Sequence, residues 1–182
     1  MRMKRVIACL LTLTLCPLVH AAEFDLAKFD LVMPSVYSNM IRDASQAYGN
    51  KRYDKAFDKF QRLACAGDKQ SQSALGRMYM LGEGTKRDDL TGYAWLKLAA
   101  EMVYPKYQAV VRQIEEAMTP EQTKVAGELV ADLSSRYSFS ASRMGCTLSA
   151  SKGGHIIDQI ICTPQNQGNR LLLRKCDVFA AE

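Results

Sequence analysis

Apolar residues recur at spacings of three and four in six stretches of the chain, each bounded by a capping residue, a proline or a glycine. In the first, Val36, Tyr37, Met40, Ile41, Ala44 and Tyr48 share one helical face, with Ser35 placed as N-cap behind Pro34 and Gly49-Asn50 as the stop. In the second, Tyr53, Ala56, Phe57, Phe60, Leu63 and Ala64 repeat the pattern up to Gly67. So short a turn between them requires the two helices to pack antiparallel, and neither covers its stripe alone. Asp68 then caps a third helix carrying Leu75, Met78 and Tyr79, closed by Gly82 and Gly84. Asp88 caps a fourth with Leu90, Tyr93, Ala94, Trp95, Leu98 and Ala99. The hairpin is thus written twice. Pro105 opens a fifth helix with Tyr107, Val110, Val111, Ile114 and Met118 inward. Thr119-Pro120-Glu121-Gln122 opens a sixth as a capping box, with Val125, Leu129, Val130 and Leu133 buried and an end near Tyr137.

Helical periodicity stops at Ser138. Two Ile/Leu-rich stretches, His155 to Ile161 and Arg170 to Lys175, flank the turn-prone run Thr163-Pro164-Gln165-Asn166-Gln167-Gly168-Asn169, which predicts a small β-hairpin or meander. It holds too few residues for a core of its own and is expected to dock on the helices. At the other end, residues 23–34 form a short mixed segment closed by Pro34. Ahead of it, Met-Arg-Met-Lys-Arg, an apolar run from Val6 to Val19 and the pair Ala21-Ala22 read as a signal peptide over residues 1–22, cleaved after Ala21 or Ala22. The run is shorter than the roughly 20 apolar residues a membrane span needs and contains Pro17. Lipidation fits poorly, because Leu15 before Cys16 is not small and Cys9 has almost no apolar run ahead of it. The domains expected are therefore a leader at 1–22, a helical-repeat domain at 23–137 and a Cys-rich extension at 138–182. The location expected is the periplasm or the exterior, with no transmembrane segment after cleavage.

Export changes two other readings. Cys9 and Cys16 leave with the leader, so Cys65, Cys146, Cys162 and Cys176 remain; in an oxidising compartment these form two disulfides, with three connectivities open. Zinc is disfavoured, since there is no Cys-x-x-Cys and the mature chain has one histidine, His155. Removing Arg2, Lys4 and Arg5 from 24 basic residues leaves 21 against 19 acidic, a net charge of +2, and no basic cluster alternates with aromatics. Nucleic acid is therefore rejected as a partner.

The most specific stretch runs from Ala74-Leu75-Gly76 through Tyr79, Gly82, Gly84 and Asp88 to Gly92-Tyr93-Ala94-Trp95 and Ala99-Ala100. Gly76 permits close helix approach, Gly82 and Gly84 shape the turn, and Tyr79 and Trp95 fill the space between the helices. This stretch resembles the Sel-one-like repeat (SLR), a relative of the tetratricopeptide repeat (TPR). The match is strongest over residues 71–103, and a partial preceding unit lies upstream, so that it covers roughly residues 40–103. Gly92, Ser71 and Thr85 depart from the family pattern, each by a small side chain. The resemblance implies a mainly α fold, antiparallel helical hairpins of an α–α superhelix. With fewer than three units, the flanking helices and the tail must act as caps. It also implies a protein-binding adaptor or scaffold of the cell envelope, and it assigns partner contacts to Ser73, Arg77 and Met80 on the first helix of the hairpin.

Catalytic chemistry has little to build on. Any Ser-His-Asp or Cys-His arrangement would have to use His155, which sits beside Gly153-Gly154 at the edge of the predicted hairpin and reads as a satisfied or solvated histidine. The carboxylate pairs Glu115-Glu116 and Asp88-Asp89 are adjacent in sequence and point about 100° apart on a helix. No catalytic residue, cofactor or metal is expected. Thiol exchange lacks the Cys-x-x-Cys spacing that pairs attacking and resolving sulfurs. The alternative function is a cell-wall-binding module or envelope enzyme using the Cys-rich region.

Overall fold

The computed structural model describes residues 24–150 and 157–177, so the signal peptide expected at 1–22 and His155 lie outside the described residues. A 3-10 turn at Leu26–Lys28 leads into β1 (Phe29–Val32). Six helices follow: α1 (Pro34–Gly49), α2 (Tyr53–Cys65), α3 (Lys69–Leu81), α4 (Asp89–Ala99), α5 (Pro105–Ala117) and α6 (Pro120–Tyr137). A short α7 (Phe139–Ser142) then turns the chain into β2 (Met144–Ala150), β3 (Ile157–Pro164), β4 (Asn166–Gln167) and β5 (Arg170–Arg174). The fold is mainly α, antiparallel helical hairpins with a small disulfide-pinned β region at the C-terminal end.

The caps act where the residue types place them. Asp68 accepts from Ser71 N–H, Asp88 from Leu90 and Thr91 N–H, and Thr119 and Gln122 form a reciprocal capping box. Gly82 closes α3 in the left-handed conformation at φ 68°, which a side chain would resist. One start differs from expectation. Met33, not Ser35, is the N-cap of α1, without a side-chain bond, because Pro34 tolerates the first helical position, where no N–H is needed.

Hairpin α1–α2 lies against hairpin α3–α4, and α5 and α6 both pack on α4. The principal core joins Phe60, Leu63, Leu75, Met78, Trp95 and Leu98 to Tyr137 of α6, whose ring stacks on Trp95 at 5.6 Å between centroids. A second cluster of Tyr93, Leu96, Val111 and Ala126 seats α5 and α6 on the outer face of α4. The helical stripes run slightly out of phase with the sequence reading. Val36, Val110 and Val125 are exposed, while Ala47 and Ala126 are buried in α1 and α6. Small residues let those helices approach closely enough for alanine to fill the contact.

The strands pair differently from a hairpin between the two Ile/Leu-rich stretches. β3 pairs antiparallel with β2, and β5 lies between β4 and β1, with Phe29 opposite Arg174 and Val32 opposite Leu171. The N-terminal segment therefore supplies a strand to the C-terminal sheet. Ile160, Leu171 and Leu173 enter the principal core, so the sheet docks on the helices as too small a unit to stand alone. Among the described residues the bridges are Cys65–Cys176 and Cys146–Cys162, and two such bridges fit an oxidising compartment.

Candidate functional site

α3 carries two polar faces with different roles. Its first turn points inward. Lys69 is 0% exposed, and its Nζ donates to Gln72 Oε1 (3.0 Å), to the Leu98 carbonyl (3.1 Å) and to Glu101 Oε2 (2.5 Å), with the Phe139 ring 4.2 Å away. Burial lowers the Lys69 pKa, and the Glu101 carboxylate opposes that shift. Gln72 Nε2 donates to the carbonyls of Ala64 and Tyr137, each at 3.0 Å. Asp68 accepts from Ser71 N–H and from the Tyr37 hydroxyl (3.1 Å); burial raises its pKa, and the hydrogen bonds from Ser71 and Tyr37 pull it back. These groups face no solvent, and their chemistry is structural: they satisfy the ends of α2, α4 and α6. Neither Lys69 nor Gln72 was expected here. The available signal was phase, since both fall three and six residues before Leu75 on the apolar side of α3.

The opposite face carries Ser73, Arg77 and Met80. On α5, burial pushes the pKa of the Tyr107 hydroxyl up to about 12, with Ser73 pulling it back. Arg77 and Met80 line an open groove of about 800 Å³ whose other walls include Leu81, Leu90, Val110, Ile114 and Met118. Leu81 is 59% exposed and Val110 43%. The rim is polar: Arg87 and Asp89 pair through Nε and Nη2 at 2.9 Å each, and Gln113 and Gln122 stand nearby. The groove thus joins two of the three predicted α3 positions, Arg77 and Met80, to residues of α4, α5 and the start of α6 that were not singled out as contacts, and Ser73 is not among its lining residues.

The remaining singled-out residues are placed in the frame. Leu75, Tyr79, Trp95, Ala99 and Ala100 are buried, with Tyr79 edge-on to Phe57 at 5.2 Å, and Gly82 and Gly84 are left-handed in the turn after α3. Gly76 and Gly92 face each other across the hairpin. A Cβ on Gly92 would lie 2.5 Å from Met80 Cγ and 2.7 Å from the Gly76 carbonyl oxygen, which accounts for glycine at that departure from the repeat pattern. Glu115 accepts from Tyr93 (2.7 Å) and Lys97 (2.5 Å), tying α5 to α4; the Lys97 bond, then the Tyr93 bond, hold its carboxyl below the ordinary value. Asp88 is a cap and Asp89 is paired to Arg87, so neither carboxylate pair converges on a common point. Among the described residues no three or more His, Cys, Asp or Glu side chains come together as a metal site, and no helix is long and apolar enough to cross a membrane.

No protein-family model and no curated protein sequence matches this chain. Among solved structures it is similar to a protective antigen of uropathogenic Escherichia coli strains, described as displaying an SLR fold. The two share 25% sequence identity with a TM-score of 0.45, over 57% of this chain and 23% of that one. The chain spans under a quarter of that neighbour's length.

Proposed function

We propose that this chain is an exported interaction scaffold that holds an apolar segment of another envelope protein in the groove between α3 and α5. The observation that carries this reading is the groove itself. Leu81 and Val110 stand open to solvent beside Met80 and Met118, and contiguous apolar surface with a polar rim is the usual mark of a binding site. The two methionines suit such a wall because an unbranched thioether repacks around different apolar shapes. The envelope setting is supported by the leader pattern and the two bridges. Binding, not catalysis, is the role: Lys69, Glu115 and Asp68 each hold one element to another, and Asp88 caps α4.

In-cell photo-crosslinking from position 77, with mass-spectrometric identification, tests the proposal. It should yield one defined protein partner, and the yield should fall at least about tenfold when Leu81→Asp and Val110→Asp charge the groove walls. Recovery of no partner, or a yield indifferent to those two changes, would overturn the assignment.

A further inference from the structure

We propose that Cys146–Cys162 is the reducible disulfide of this chain, opened by a dithiol that attacks Cys146 and expels Cys162 against the amino end of α3, while Cys65–Cys176 stays closed.

The two bridges end at opposite poles of helices. Cys146 and Cys162 are direct partners across the β2–β3 ladder, and the Cys162 sulfur accepts the backbone N–H of Lys69 at 3.4 Å. Lys69 is the first residue of the 13-residue α3. Its amide is one of the N–H groups a helix leaves without an internal partner, at the end where the helix dipole favours negative charge. A sulfur leaving there as thiolate meets a donor already in place. Asp68, the adjacent carboxyl, is engaged by Ser71 and Tyr37. Cys65 has the opposite setting. It is the last residue of α2, at the carbonyl end of the helix; Cys65 and Cys162 are both buried in the principal core, so the helix pole is what separates them. Attack on its bridge must come at the exposed Cys176 and would expel a thiolate at the negative pole of α2, where the helix dipole opposes it.

Thiol–disulfide exchange accelerates as the leaving thiolate becomes more stable. The steps balance as follows. A thiolate of the dithiol attacks the partly buried Cys146 sulfur, a mixed disulfide forms, and the Cys146–Cys162 bond breaks with its electron pair on Cys162. The second thiol of the reagent then attacks the mixed disulfide and releases Cys146 as a thiolate that takes up a proton. The reagent is oxidised to a disulfide, and the chain gains two electrons. The Cys-x-x-Cys spacing is dispensable because the β2–β3 register sets Cys146 and Cys162 side by side from 16 residues apart.

The test uses the fully oxidised chain without denaturant. Limited dithiothreitol, acid quench and alkylation should label Cys146 and Cys162 at least about ten times faster than Cys65 and Cys176. Glutathione, a monothiol, should be trapped on Cys146 with Cys162 free to alkylate. Labelling of Cys65 and Cys176 first or at the same rate, or glutathione on Cys162, would overturn the proposal.

Discussion

The α3–α4 hairpin and the β region are built on opposite plans. In the hairpin, caps, stripe and turn lie within about 30 residues of sequence, and the Gly76–Gly92 contact brings the two helix backbones together without help from elsewhere. In the β region, β5 is sandwiched between a strand a few residues away and one that begins at Phe29. Periodicity tells what a segment becomes; it says little about which segment it will meet. The hairpin needs only the first kind of information, and the β region needs both.

Cutting the longest tether would test this contrast most severely. Cys65→Ala with Cys176→Ala opens a cross-link spanning 111 residues and should cost about 4–5 kcal/mol by the loop-closure relation. Urea midpoints from far-ultraviolet and near-ultraviolet circular dichroism should fall together. If the helical signal kept its midpoint, the β region would be an appendage and not part of the core. Within the hairpin, Trp95→Ala removes a ring that is 1% exposed and should cost roughly 3–5 kcal/mol through the cavity it leaves. An unchanged melting temperature would contradict the stacking on Tyr137. The smallest effect lies at the junction of the two regions. Asp68 is held above the ordinary carboxyl pKa by burial, so its folded form keeps a proton that the unfolded chain releases first. Its contribution is therefore full below the unfolded value and is lost as pH rises through the folded one. Asp68→Asn retains a good N-cap and removes that titration. Urea midpoints at about pH 3.5 and pH 7 should show the native chain losing ground to the variant as pH rises; a constant gap would refute it.

The helices were legible because each stripe and cap is local: Asp68, Asp88, Thr119 and Gln122 form the very contacts their spacing implies. The start of α1 was read two residues late because Ser35 is a good cap in isolation, whereas Pro34 already fits the first turn. Residues 29–32 carried no strand signal of their own, since four residues with one buried position show too little alternation. The groove was half legible. Arg77 and Met80 were placed by the repeat resemblance, but Val110 was assigned inward, and it is its outward position that makes the opposite wall. Lys69 and Gln72 were passed over because a lysine and a glutamine at the start of a helix ordinarily face water.

That first turn of α3 also governs how the molecule can come apart. Linear repeat arrays melt a unit at a time, because each unit contacts only its neighbours. Here the Lys69 and Gln72 side chains hold carbonyls from α2, α4 and α6 at once. Sliding any one of those helices by a residue would strand buried polar groups without partners, at a cost of about 1–3 kcal/mol each. The register of three helices is thus checked at a single point, and the helices it joins are expected to unfold together.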